Sequence, residues 1–228
     1  MSIEAKIIMP YEANALEPYF SETAIKLHLL HHEAYVNAYK KFITDQYREF
    51  YESDLEYNLM KLSYELEGID FGPIKFFQNA AQVWNHNFFW ASMAKDNKPS
   101  EKMLQLINES YGSINNLRNS FIEAGMSTFG SCWLWIVAID RNVLDLMVTS
   151  NADSPKFSIN SYHTVREAVE QDSDIVPLIG CDVWEHSFYP DYQNRKREYL
   201  TTFFDHLINW DFAEQQLSSV FAQYSDEE

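Results

Sequence analysis

The chain of 228 residues carries 17 Lys and Arg against 34 Asp and Glu, a formal net charge of −17 at pH 7. That length admits one large domain or two small ones with a real core. So acidic a balance excludes nucleic-acid binding, which needs clustered Lys and Arg. The aromatic share of 16% reads chiefly as core packing. No apolar run reaches bilayer length, and the longest, near Cys132 to Ile139, is strand-sized, so no membrane association is expected. Two cysteines, Cys132 and Cys181, are too few for a disulfide scaffold, and the start of the chain lacks a secretory pattern. A cytoplasmic protein is the expectation.

Taken in chain order, Ser21 is placed to cap a helix with Glu22 in its first turn. Helical spacing through Tyr35, Tyr39 and Phe42 carries that helix toward Phe50. A second helix opens at Gly72-Pro73 and runs through Phe76, Ala80 and Val83 to Trp90. Two long helices in succession predict an antiparallel hairpin. Lys98-Pro99-Ser100 marks a boundary, dividing the chain into residues 1–97 and 98–228. Two shorter helices follow, the second with Ile114, Leu117 and Phe121 on one face and a stop at Gly125. Cys132 to Ile139 and Val143 to Val148 read as a β-hairpin around Asp140, Arg141 and Asn142. Residues 151–176 are polar, with a short helix around Val165 to Glu170. A third strand from Pro177 to Val183 leads into two closing helices that end near Phe221.

The histidines sort by pattern. His28, His32 and Tyr35 lie on one helical stripe, with His31 close beside it. His86 follows Gln82 by one turn, so amide and imidazole point the same way. Asp182 and His186, in Asp-Val-Trp-Glu-His, reach one point if the strand ends between them. Metal sites in bundles are commonly built from facing helices in this way. Three imidazoles and a carboxylate suit iron, manganese or zinc better than calcium or magnesium. The chain has no Glu-x-x-His of the di-iron bundles, no zinc-type cysteine spacing and no phosphate-binding glycine loop. His163 and His206 fit no pattern and are given no role. The residues by themselves reach a mononuclear metal protein.

Several blocks carry a resemblance. Gln82-Val83-Trp84-Asn85-His86-Asn87-Phe88-Phe89-Trp90 resembles the second-helix signature of iron/manganese superoxide dismutases, and Asp182 to His186 resembles that family's C-terminal metal signature. Phe129-Gly130-Ser131-Cys132-Trp133 and Met9-Pro10-Tyr11 resemble two further family segments, in the family's order along almost the whole chain. The resemblance implies an α+β fold: an N-terminal α-helical hairpin domain (1–97), then a C-terminal α/β domain (98–228) with a three-stranded antiparallel sheet. It implies metal ligands His28, His86, Asp182 and His186, with a water or hydroxide completing the set. Gln82 resembles the glutamine that hydrogen-bonds this solvent in iron-type members, and Asn151-Ala152 is iron-like too. The cofactor expected is therefore iron, with manganese possible. His31 and Tyr35 match the gateway pair of the substrate funnel. Trp84, Trp133 and Trp184 resemble the aromatic shell around the metal. Superoxide is the implied substrate, converted to dioxygen and hydrogen peroxide. A homodimer through Glu185, His186, Tyr189 and His31 is likewise implied.

Three departures stand out. His28 precedes Tyr35 by one residue fewer than in the family, and Leu27 occupies the position that spacing would give the ligand. Either a regular helix absorbs the slip or the first ligand is lost, and the gateway role falls to His31 or His32. Cys132 replaces a glycine beside Trp133, and Cys181 directly precedes a ligand. Residues 50–57 and 153–176 are insertions relative to shorter relatives. Arg195, Lys196 and Arg197 are candidates for drawing an anion toward an otherwise repelling protein. Two rivals remain at this point: a metal-free interaction protein of the same fold, and a non-haem iron enzyme using two histidines and a carboxylate with dioxygen.

Overall fold

The computed structural model describes residues 5–45, 54–65, 71–140, 142–157 and 175–225. The expected helix at Val165 to Glu170, His163 and the reach of the first helix to Phe50 lie outside them. Helix α1 spans Glu22–Asp45. Ser21 caps it, its Oγ accepting from the Ala24 amide at 3.0 Å. Ala24, Ile25, His28, His32, Val36, Tyr39 and Ile43 form its buried face.

Helix α2, Leu55–Glu65, has no counterpart among the elements expected from the sequence, in which residues 50–57 are an insertion. Its signals are local. Asp54 accepts from the Glu56 and Tyr57 amides at 2.8 and 3.3 Å, and Leu55, Leu59 and Leu62 recur at helical spacing and are buried. Helix α3, Phe71–Ala91, holds Gly72-Pro73 in its first turn. It packs against α1, α2 and the sheet, so Phe76, Phe77, Ala80, Ala81, Val83, Phe89 and Trp90 are all buried.

Helices α4 (Glu101–Tyr111) and α5 (Ile114–Ser127) are capped by Ser100 and Ser113, and Gly112 ends α4 at φ 76°. Helix α5 does not stop at Gly125. A Cβ there would lie 2.6 Å from Leu200 Cδ1, so this glycine serves a close helix approach within α5.

Strands β1 (Cys132–Ile139), β2 (Val143–Ser150) and β3 (Ile175–Asp182) form an antiparallel sheet in the order β2-β1-β3. The central strand is covered on both faces, which explains its unbroken apolar run. Pro177 sits beside an irregularity in the edge strand, where a missing N–H costs no ladder bond.

The two closing helices expected are three: α6 (Glu185–Tyr192), α7 (Lys196–Thr202) and α8 (Trp210–Ser225). Helix α7 runs on as a π-helical turn, Phe203–Leu207. The carbonyls of His206 and Leu207 accept from the Asp96 and Ala94 amides at 2.7 and 2.8 Å, and the Asn209 amide donates to Ser92 O at 2.8 Å. The C-terminal part is thereby tied to the end of α3. His206 contributes here, stacking on Tyr19 at 4.2 Å with Nδ1 2.9 Å from Asp96 Oδ1. The result is an N-terminal α-hairpin unit followed by an α/β unit, eight α-helices and one three-stranded sheet among the described residues. None of these helices is long and apolar enough to cross a membrane.

Candidate metal centre

Helix α1 supplies His28, α3 supplies His86, the end of β3 supplies Asp182 and the first turn of α6 supplies His186. The strand ends at Asp182 and α6 starts at Glu185, so both ends of the Asp-Val-Trp-Glu-His motif turn inward. One donor atom from each of the four residues lies within 4.8 Å of the others. Asp182 Oδ2 is the hub, 3.1 Å from His28 Nε2, 3.7 Å from His86 Nε2 and 3.1 Å from His186 Nε2.

The regular α1 brings His28 inward and leaves Leu27 45% exposed, so the shortened spacing is absorbed by the helix itself. His31 and His32 separate cleanly. His32 is buried, stacks on His86 and accepts the Trp90 Nε1 hydrogen at 3.1 Å. His31 lies at the surface and stacks on His186, ring centroids 4.5 Å apart. Tyr35 reaches within 5.3 Å of the His86 ring.

The surrounding contacts aim these groups. His86 Nδ1 lies 2.7 Å from Gln82 O; an N–H donated there leaves the Nε2 lone pair facing the cluster. Asp182 Oδ1 accepts from the Trp184 amide at 2.8 Å, fixing the carboxylate plane. Tyr199 donates its hydroxyl to Asp182 O at 2.6 Å. Gln82 Oε1 accepts from Trp133 Nε1 at 3.1 Å, and Gln82 Nε2 is buried with no hydrogen-bond partner. Trp184 lies over His186 at 5.6 Å, and Trp133 meets the His86 ring edge at 5.1 Å. Trp84 packs a layer further out, against Phe88 and Trp135.

Burial lowers the pKa of His28 and of His86, holding both imidazoles neutral. Burial pushes Asp182 upward, but the imidazoles of His186 and His28, each 3.1 Å from its Oδ2, outweigh it and hold the carboxyl well below its ordinary range. Neutral imidazoles and an ionised carboxylate are the protonation states a metal requires. The buried Nε2 of His86 makes no hydrogen bond, and His28 Nε2 meets only the Asp182 carboxylate. Orphaned donors in a dry cluster are costly alone and natural as ligands, so these residues fit a single N/O-ligated transition metal.

Arg195 pairs with Glu198 and Arg197 with Glu123, both at 2.8 Å, so neither guanidinium is free to act on a distant anion. Lys196 differs. It donates to Thr128 Oγ1 at 2.8 Å and lines the same surface pocket as Trp184, Glu185 and His186. Cys132 and Cys181 are buried free thiols, and burial raises the pKa of both, leaving them unreactive.

An α-hairpin joined to a three-stranded α/β unit, with three histidines and an aspartate converging between them, defines a protein with a candidate mononuclear metal site. Comparison with known proteins names the family. Residues 7–94 match the alpha-hairpin domain, and residues 99–216 the C-terminal domain, of the iron/manganese superoxide dismutases. The chain is 36% identical over 217 residues to a superoxide dismutase (Mn/Fe) of Rickettsia bellii, covering 92% of this chain and 91% of that protein. It is 35% identical over 212 residues to a superoxide dismutase (Fe) of Legionella pneumophila, covering 92% and 96%. A chloroplastic superoxide dismutase (Fe) 2 of Oryza sativa is 37% identical over 206 residues, covering 89% and 72%. The chain belongs to the iron/manganese superoxide dismutase family and is an oxidoreductase of that class.

Proposed function

We propose that the chain is an iron-type superoxide dismutase in which His28, His86, Asp182 and His186 hold one iron ion, manganese being the alternative the same donors accept. The observation that carries this reading is the convergence of four donor atoms within 4.8 Å, three of the four residues buried and His186 partly so. When bound, the metal supplies a one-electron couple, through which one superoxide loses an electron to become dioxygen and another gains it to become hydrogen peroxide.

The protein's own residues set the conditions. Gln82 offers a buried, unpartnered amide N–H to whatever occupies the pocket beside His86, and its oxygen is held by Trp133. This orientation supports its role in tuning the potential. Burial raises the pKa of Tyr35, so its phenol stays protonated, 5.3 Å ring to ring from His86. His31, exposed and stacked on His186, fits the gateway position better than the sealed His32. Trp133 and Trp184 exclude water from two sides. Iron over manganese is supported by Gln82 on α3 and by Asn151-Ala152 after β2.

A homodimer through Glu185, His186, Tyr189 and His31 is part of the proposal. Phe129, 107% exposed in the single chain, lines the pocket of Glu185 and His186, and Tyr189 is 53% exposed on the same helix as those two. We place the domain boundary between residues 97 and 98, where Pro99 and the Ser100 cap open the second unit. Cytoplasmic residence agrees with two buried, unpaired thiols.

Reconstitution with iron or manganese alone tests the metal assignment. The expected result is one iron per chain and a dismutation rate per bound metal well above that of the manganese form. Activity with manganese only overturns the iron assignment.

A further inference from the structure

Three tryptophans lead away from the metal cluster toward α2. The Trp133 ring lies 5.1 Å from His86, Trp135 lies 5.9 Å from Trp133, and Trp84 lies 6.0 Å from Trp135. Each step is a contact between neighbouring indoles, close enough for an electron to pass from ring to ring. The path ends on a base. Trp84 Nε1 donates to Glu56 Oε1 at 2.7 Å, and the other oxygen, Oε2, accepts from Lys156 Nζ at 2.6 Å. Glu56 lies in the first turn of α2, outside the four-residue cluster, and its side chain is 29% exposed.

The hydrogen-bond partners distinguish this end from the other indoles around the site. An indole that loses an electron becomes a strong acid at its N–H, so the electron vacancy comes to rest where a base takes that proton. Trp133 donates to an amide oxygen, Trp135 to the Thr149 hydroxyl and Trp184 to the Asn151 carbonyl. None of these is a useful base. Trp90 donates to His32, which is fully buried, so a proton there would be a buried charge beside the ligands. Trp84 alone in this group donates to a carboxylate that also meets solvent.

We propose that Trp133, Trp135 and Trp84 form an electron relay that carries oxidising equivalents out of the metal pocket, with Glu56 as the proton acceptor that fixes the radical at Trp84. The proposal rests on the dismutase reading, whose product supplies the oxidant. Hydrogen peroxide takes one electron and one proton in the reduced pocket, giving water and a hydroxyl-radical-class oxidant. That oxidant takes an electron from Trp133 and a proton from solvent, becoming water. Trp133 is refilled from Trp135 and Trp135 from Trp84, and the Nε1 proton of Trp84 passes to Glu56 and on to solvent. The net change is two waters, a neutral radical at Trp84 and a metal site one electron more oxidised, with its ligand side chains unaltered.

The test challenges iron-loaded protein with hydrogen peroxide after its superoxide activity has been measured. Tryptophanyl radicals are read by freeze-quench paramagnetic resonance and oxidised residues by peptide mass spectrometry. The expected result is a neutral tryptophan radical and oxidation concentrated at Trp84. In Glu56→Gln, and separately in Trp135→Phe, the Trp84 product should fall several-fold while oxidation at Trp133 and the ligand histidines rises, with starting activity retained. A superoxide-active sample oxidised only at Trp133 or the ligands, or not at all, overturns the relay. An unchanged oxidation pattern in Glu56→Gln removes Glu56 from it. A metal-loaded sample with no superoxide activity counts against the dismutase reading itself, and the relay falls with it.

Discussion

His28 and Asp182 come from opposite ends of the chain, yet His28 Nε2 lies 3.1 Å from Asp182 Oδ2 and both side chains are sealed from solvent. A single turn of regular helix makes the contact possible, because α1 turns residue 28 inward and residue 27 outward. Removing the imidazole should therefore remove a ligand, whereas its neighbour should be indifferent. His28→Ala is expected to lose metal affinity by more than the 10- to 100-fold typical of outer contacts, together with dismutation, and Leu27→Ala to retain both. Metal content of the purified variants checks this; a fully metallated, active His28→Ala contradicts the assignment.

Gln82 couples the pocket to Trp133. Gln82→Glu places a carboxylate where an amide N–H is now unpartnered, which should shift the reduction potential and cut turnover while metal remains bound. Potentiometry and assay on the same sample decide it; unchanged potential and rate would remove Gln82 from the mechanism. Gln82→Ala adds a stability cost, because Trp133 Nε1 loses its acceptor in a buried site, worth about 1–3 kcal/mol.

Much of the arrangement is legible in the sequence, and what is not has identifiable causes. Each residue of the four-donor cluster, and Gln82, sits in a short block whose spacing sets which face it occupies, so the cluster follows once two helices and a strand end are drawn. The choice between His31 and His32 does not follow, since one helical step separates them. In the structure Trp90 takes His32 into the core and His186 stacks on His31 at the surface, the difference on which the proposal of His31 rests. Helix α2 had its signals in Asp54 and in Leu55, Leu59 and Leu62, but they fall in a stretch that reads as added loop. The π-helical turn after α7 has no local signature; tertiary bonds to Ala94 and Asp96 hold it.

Gly180 on β3 faces aromatic rings. A Cβ there would lie 2.6 Å from Trp135 Cζ3 and 3.2 Å from Phe88 Cδ1, rigid rings with little room to yield. Gly180→Ala should cost about 1–3 kcal/mol by overpacking. Gly125→Ala meets only the methyl ends of Leu200 and the Leu134 Cδ2 and should cost less. Thermal unfolding of both variants gives the ranking, and the reverse order would show that the strand yields more readily than the helix.

Lys196 is the cation of its cluster that lines the pocket beside His186, while Arg195 and Arg197 face carboxylates. In a protein of charge −17, a local cation should matter most when screening is weak. Lys196→Gln is expected to slow dismutation several-fold at low ionic strength, the difference shrinking as salt rises. Arg197→Gln should do little at any salt, and equal effects from the two would locate the steering elsewhere.

The most direct test of the central claim is the rate of superoxide decay catalysed by iron-loaded protein, divided by bound metal and compared with the same iron free in buffer. The account predicts decay first-order in protein and far faster than free iron, abolished when the metal is stripped and restored when it is returned. A protein carrying one iron per chain at His28, His86, Asp182 and His186 that decays superoxide no faster than free iron would contradict it.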